Sequence, residues 1–231
     1  MFMKAVILAA GEGIRMRPLT IKKPKPMLEL AGKPIIYHIF STLPPEIKEV
    51  ILVIGYKGEK IKNYLGDIFQ NKKIKYVWQK EKKGTAHALL LCRKYLKNEK
   101  FLLLYADDLH GKKGIENCLR HDLSILVSES KNPERFGVVN IDSDNCVLNI
   151  EEKPKKPKSN LVSTGVLVLD QRIFKYRPKR HPNGEYYITT VLDKLIRDHK
   201  VIAQKASFWF PIGYPEDLKR AEKLYIDRSQ K

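Results

Sequence analysis

Cysteine is scarce, no long apolar run exists and no stretch concentrates positive charge; each absence removes a class of protein. Cys92, Cys118 and Cys146 lie far apart with no paired spacing. That argues against a disulfide framework or a zinc site and suits a reducing cytosol. No apolar run approaches the roughly 18–20 residues needed to cross a bilayer, so no membrane partner is expected. The opening Met1-Phe2-Met3-Lys4, followed by apolar residues 5–10, mimics a signal peptide. Its apolar stretch is short and runs into a glycine-bearing turn, so a cytoplasmic location is expected instead.

Acidic residues are outnumbered, 26 Asp and Glu against 44 Lys and Arg, for a net charge of +18. The lysines are nevertheless dispersed and interleaved with Glu or Pro, as in Glu81-Lys82-Lys83 and Glu151-Glu152-Lys153-Pro154. There is no arginine-rich arm, zinc-finger spacing or aromatic-basic signature, so nucleic acid is not an expected partner. A solvated basic surface with a pocket for polyanionic phosphates accounts for the charge. Oligomeric state leaves no sequence signal.

What is present is a rhythm. The 231 residues, 43% apolar, suffice for one large α/β domain. Residues 4–9 form a continuous apolar run of the kind a strand buried on both faces shows. A long loop rich in Gly, Pro and Lys follows, from residue 10 to about 33, and Pro34 is placed to open a helix through residue 43. Strands at 50–54, 74–79 and 101–105 alternate with helices at 59–69 and 85–96. That spacing predicts right-handed βαβ crossovers and a doubly wound, mostly parallel, Rossmann-like sheet. Strand-like segments at 123–127, 138–141, 147–150 and 162–169 then predict an added mixed or antiparallel region, with a turn at Ser143-Asp144-Asn145. Helices are expected at 186–198 and 216–228, with short strands at 201–205 and 208–210. No repeat or linker divides the chain, so residues 1–231 read as one domain.

Ligands of open parallel sheets bind at the carboxyl ends of the strands, which singles out the loops after Ala9, Gln79 and Tyr105. In the first, Ala10, Gly11 and Gly13 let backbone N–H groups approach phosphate oxygens, and Arg15 and Lys25 bring fixed positive charge. The spacing fits neither a Walker A loop nor a dinucleotide fingerprint. In the second, Gly84-Thr85 reads as the cap of an Ala/Leu-rich helix, with His87 a structural residue inside it. In the third, Asp107-Asp108 after a buried strand invites a cation, and Mg²⁺ takes such carboxylates together with phosphates and water. His110 is not an expected ligand, because Mg²⁺ disfavours nitrogen.

These motifs together resemble the sugar-nucleotide pyrophosphorylases, or sugar-1-phosphate nucleotidyltransferases. The likeness runs through Leu8-Ala9-Ala10-Gly11, Gly13-Ile14-Arg15, Arg17-Pro18-Leu19-Thr20, Pro24-Lys25-Pro26-Met27 and Gly32-Lys33-Pro34-Ile35. It implies a nucleoside triphosphate and a sugar 1-phosphate as substrates, UTP or dTTP favoured, with Mg²⁺ as cofactor. About residues 1–110 would hold the nucleotide through Leu8, Ala10, Gly11, Gly13, Gln79, Gly84 and Thr85, with Arg15 and Lys25 catalytic. About residues 111–231 would hold the sugar phosphate through Gly137, Glu152, Lys153 and Thr164. Asp107 matches the metal-binding aspartate, with Asp108 a helper. The sequence departs from the family at Ile14, usually Thr or Ser, and at Trp209-Phe210-Pro211-Ile212-Gly213-Tyr214. There Pro211 occupies the place of the second metal-binding aspartate and Tyr214 that of a threonine. Two alternatives stay open: a guanylyl- or cytidylyltransferase acting on a sugar or alcohol phosphate and, because of Pro211, a catalytically weak nucleotide-sugar-binding regulatory homologue.

Overall fold

Strand β1 (Met3–Ala9) forms where the apolar run stands, and Ala5, Val6 and Ile7 are wholly buried. The computed structural model describes residues 3–97 and 99–229; Met1 and Phe2 of the signal-like opening lie outside the described residues. After the glycine loop come β2 (Glu29–Leu30), β3 (Lys33–Pro34), α1 (Ile35–Thr42), β4 (Ile47–Ile54), α2 (Gly58–Leu65), β5 (Ile68–Phe69), β6 (Lys72–Trp78), α3 (Thr85–Leu91) and β7 (Phe101–Tyr105). The second half adds β8 (Asp108–His110), α4 (Lys112–Cys118), β9 (Ser124–Glu129), β10 (Gly137–Ile141), β11 (Val147–Glu152), β12 (Leu161–Leu169), α5 (Ile188–Asp198), β13 (Ile202–Lys205), β14 (Trp209–Pro211) and α6 (Pro215–Ser229).

One ten-stranded sheet runs β11-β10-β12-β7-β1-β4-β6-β5, with β9 beside β12 and β13 beside β9. The strands β7, β1, β4 and β6 are mutually parallel, as the alternating pattern predicts. Alternate residues face opposite layers. Ile7, Leu52 and Leu104 pack with α1, α2 and α4, whereas Val6, Val53 and Leu103 pack with α3 and α5. The antiparallel pairing of β12 on β7 carries the sheet without interruption into the second half. The β10–β11 hairpin turns at the expected place: Asp142 Oδ1 accepts from Asp144 N and Cys146 N, and Asn145 takes φ 60°. Cys92, Cys118 and Cys146 carry free thiols. Among the described residues no helix is long and apolar enough to cross a membrane.

Several expectations need correction. Pro34 lies in β3 and caps α1 from extended backbone (ψ 149°) instead of opening it as a helical residue. The helix expected at 59–69 stops at Leu65, because Gly66 takes φ 63° and its N–H bonds back to Lys62; residues 68–69 turn into β5. The helix expected at 85–96 ends at Leu91, followed by a 3₁₀ turn at Arg93–Tyr95. The strands β8 and β14, and helix α4, bring in elements or bounds the sequence pattern did not supply. The β14–β8 pair sets Pro211 against Asp108.

Candidate active site

The loop after β1 folds over Lys25. Gly13 has φ 64°, and a Cβ there would lie 3.1 Å from both Lys25 Cβ and Thr20 Cγ2, so only glycine fits without displacing the lysine. Thr20 Oγ1 donates to Gly13 O at 2.8 Å and fixes the turn. Gly11 differs: nothing stands within 4 Å of where its Cβ would be, which leaves its backbone accessible. Lys25, only 9% exposed along its side chain, sends Nζ to within 3.1 Å of Asp107 Oδ2. Ala106 N donates to Leu8 O, so the loops after β1 and β7 are also joined through backbone.

The loop after β6 closes on the same strand ends. A Cβ on Gly55 would lie 2.9 Å from Ala10 O and 3.0 Å from Gln79 O, so these two backbones meet across a glycine. Glu12 accepts from Arg17 and from Lys82, tying the glycine loop to the 80–84 segment. Those two cations hold the Glu12 carboxyl below the usual carboxylate range, the Lys82 hydrogen bond contributing most. The Gln79 amide nitrogen donates to Gly84 O at 3.1 Å and lies 3.0 Å from His87 Nδ1. Gly84 is the N-cap of α3, as expected, and Thr85 is its first residue, with no side-chain cap bond. The Thr85 hydroxyl accepts from Ile188 N at 3.0 Å and bonds with Tyr105, reaching across to α5.

The first turn of α5 is where the two halves meet. Tyr186 pairs by backbone with Lys83 and Ala86. Thr189 Oγ1 donates to Glu152 Oε2 at 2.8 Å, and Glu152 Oε1 lies 3.3 Å from Lys153 Nζ. The same ammonium stands 4.8 Å from the Tyr187 ring centroid. Gly137 pairs with Glu152 across the hairpin. Its absent side chain is not open space for a sugar, however: a Cβ there would lie 3.0 Å from Thr189 Cγ2, so Gly137 makes room for the residue that holds Glu152. Thr164 also needs correction. It is 1% exposed and donates its hydroxyl to Leu126 O, so its side chain pins the bend in β12 and is unavailable to a ligand.

A second arginine, which carried no motif in the sequence, joins Arg15. The Arg15 guanidinium lies 5.4 Å from the Tyr214 ring centroid and that of Arg135 lies 4.8 Å from it. A nitrogen of each stands within 4 Å of a Cβ position on Gly213. Asp217 Oδ2 lies 3.5 Å from the same position, so the two exposed guanidiniums gather around the Tyr214 ring beside a carboxylate. Arg135 comes from the short turn before Phe136-Gly137, a setting that looks like any polar loop until the chain folds.

The acidic pair is unequal. Asp107 is partly exposed and is held by Lys25. Asp108 accepts from Trp209 Nε1 at Oδ2 and from Ile212 N at Oδ1, and burial, reinforced by the Asp107 charge, pushes its carboxyl up to about 7. Asp108 is therefore a brace for β14, not the helper expected. Asp217 is likewise occupied, accepting from Gly213 N and Tyr214 N at the start of α6. Among the described residues no three His, Cys, Asp or Glu side chains cluster to hold a metal.

His110, behind this pair, is a structural neighbour with a pH signature. It is 6% exposed, its Nε2 donates to Thr164 O at 2.9 Å, and burial pushes its pKa from 6.5 down to about 4. The folded state thus binds fewer protons than the unfolded chain in this range, so its stabilisation is present above about pH 6.5 and is lost as pH falls toward 4, by up to about 3 kcal/mol. The raised Asp108 pKa works in the opposite direction, so the effect is read as a difference between proteins. Urea unfolding should show His110→Leu less stable than wild type by about 1–3 kcal/mol near pH 8, from the unpaired carbonyl. The gap should shrink or reverse near pH 4.5; a gap independent of pH would show that His110 is not held neutral.

The nucleotidyl transferase family profile matches residues 4–228. The bifunctional protein GlmU of Methanocaldococcus jannaschii is 38% identical over 230 residues, covering 98% of this chain and 55% of its own length. The chain thus spans about half the length of those relatives. The UTP–glucose-1-phosphate uridylyltransferase AglF of Haloferax volcanii is also 38% identical, over 96% of both chains. Among solved structures, a glucose-1-phosphate thymidylyltransferase from Bacillus anthracis in complex with sucrose superposes with a TM-score of 0.87 at 29% identity, over 97% of this chain and 96% of its own.

Proposed function

Because the chain belongs to the nucleotidyl transferase family, we propose that it joins a nucleoside triphosphate, UTP or dTTP, to a hexose 1-phosphate, giving a nucleotide-sugar and pyrophosphate. The observation that carries this reading is the 3.1 Å approach of Lys25 Nζ to Asp107 Oδ2 across 82 residues of sequence, beside the open glycine loop. A buried cation supplies the preorganised positive charge that phosphoryl transfer uses, and the half-exposed carboxylate beside it can take a metal ion.

An oxygen of the sugar phosphate attacks the α-phosphorus in line, and the bond from that phosphorus to the bridging β-oxygen breaks. The electron pair leaves on pyrophosphate. The attacking phosphate monoester is already anionic near neutral pH, so no protein base is needed. Lys25 and Arg15 offset the charge gathering on the phosphates, and Arg135 adds a second guanidinium from the sugar half. Glu152, held by Thr189, accepts hydroxyl protons of the sugar, and Lys153 beside it takes the phosphate. Gln79 faces the base.

The donor set suits a divalent cation of Mg²⁺ type: Asp107 offers a partly exposed carboxylate, and phosphate and water oxygens complete such a shell. When bound, the ion would neutralise phosphate charge. Pro211, paired with Asp108, offers no side-chain ligand, so Asp107 carries the protein's share.

Mixing UTP, dTTP, CTP, GTP and ATP with hexose 1-phosphates, with and without Mg²⁺, should release pyrophosphate fastest with UTP or dTTP and only with Mg²⁺. Tight binding of a nucleotide-sugar with no turnover in any combination would instead identify a regulatory homologue.

A further inference from the structure

The hydrogen bonds of Gln79 determine how its amide sits: the Gly84 carbonyl sets which end is the nitrogen, and His87 Nδ1 takes the second amide proton and holds the plane. Gly84 O can only accept, so the atom 3.1 Å from it must be the amide nitrogen. The same nitrogen lies 3.0 Å from His87 Nδ1. One amide proton goes to the carbonyl and the other to the imidazole, which must then carry its own proton on Nε2. Burial, aided by the Lys83 charge and opposed by that of Glu81, lowers the His87 pKa and favours this neutral, accepting ring. Both amide protons are thereby engaged, and Oε1 is left as the group that Gln79 can offer to a ligand. A flipped amide would set Oε1 against Gly84 O, two acceptors in contact.

We propose that His87 is a specificity-determining positioning residue, locking Gln79 so that it presents an acceptor, and thereby selecting a base edge that offers a ring N–H. Uracil and thymine carry that proton on N3, whereas cytosine has a bare, accepting nitrogen there and meets Oε1 as a like pole. Rejection by an unpaired or opposed polar group is a stronger filter than pocket size. The inference rests on the reading of Gln79 as base-facing, and it gives a physical reason for favouring UTP and dTTP over CTP. It also gives a role to a histidine in the first turn of α3, where the sequence marks it only as a structural residue.

The test uses the whole chain and three nucleotides, UTP, dTTP and CTP, with dissociation constants measured by titration, so that it does not depend on turnover. His87→Leu removes the acceptor. It should weaken UTP and dTTP and cut their preference over CTP by about tenfold or more, the worth of one misaligned polar contact. His87→Asn, whose Oδ1 can stand near the position of Nδ1, should restore most of the preference. His87→Ala repeats the deletion in case leucine disturbs α3, and thermal unfolding verifies that each variant is folded. The apparent KM for the sugar 1-phosphate should stay within about twofold, because Glu152 and Lys153 are untouched. An unchanged UTP-to-CTP ratio in both deletion variants, or an asparagine variant as unselective as leucine, overturns the proposal. Absence of turnover in the wild type counts against the proposed reaction, and the binding ratios still decide the role of His87.

Discussion

Lys25→Met should lower kcat for pyrophosphate release by about 10²–10³-fold, the effect of deleting one preorganised charge at a developing oxyanion. Two losses act together. The cation disappears from a place where it is 9% exposed and cannot be replaced by a neighbouring surface lysine. Asp107 is also left without its 3.1 Å partner, so an uncompensated carboxylate faces the incoming triphosphate. Methionine keeps the stem that packs on Gly13, so the fold should survive and thermal unfolding should shift little. Lys23→Met is the matched control, since Lys23 is exposed and pairs with exposed Glu29. Retention of more than about a tenth of wild-type kcat by the Lys25 variant would remove it from the charge-stabilising role.

Gly84→Ala should destabilise the protein by about 3 kcal/mol or more and abolish the preference for one base over another. Gly84 has φ 85° and ψ −177°, a region essentially closed to residues with a side chain. Its new Cβ would stand 2.6 Å from Tyr186 O and 2.8 Å from Tyr186 N, backbone atoms that cannot swing aside. Relief would require parting the 83–86 segment from 185–187, breaking Tyr186 N to Lys83 O and Ala86 N to Tyr186 O. It would also carry off the carbonyl that orients Gln79. Gly11→Ala provides the contrast. With nothing within 4 Å and no left-handed φ, it should change urea-unfolding stability by less than about 0.5 kcal/mol. Equal stability losses for the two alanines would refute the steric account.

Much of this architecture can be read from the chain. The apolar run of β1, ending at a glycine loop, reads as a strand buried on both faces, and the strand–helix alternation to Tyr105 leaves the parallel order few alternatives. Gly66, just after the last apolar residue of α2, was a stop signal in plain sight, and the expected helix ran past it to residue 69. Helix α4 was hidden because Lys112-Lys113-Gly114 is a poor helix opening. It forms because Gly114 permits close approach to Ser207 and Leu126, while Ile115 and Cys118 are buried in the core. Strand β8 is three residues long and exists only through its pairing with β14.

The site divides in the same way. The sequence by itself determined the chemistry of its parts: a glycine loop with Arg15 and Lys25, Gln79 before Gly84, Asp107 after a buried strand, and Glu152-Lys153. Residue type and local order set these, because loop geometry and charge are local properties. Only the tertiary structure decided how the parts act on one another. It placed Lys25 against Asp107, set Thr189 to hold Glu152, gave the Thr164 hydroxyl to Leu126 O and the Asp108 carboxylate to Trp209 and Ile212, and brought Arg135 to Arg15. The hydrogen bonds among those outcomes join groups 37 to 104 residues apart in sequence. A hydrogen-bond partner at that separation is set by sheet pairing and helix docking, and no local pattern carries that information.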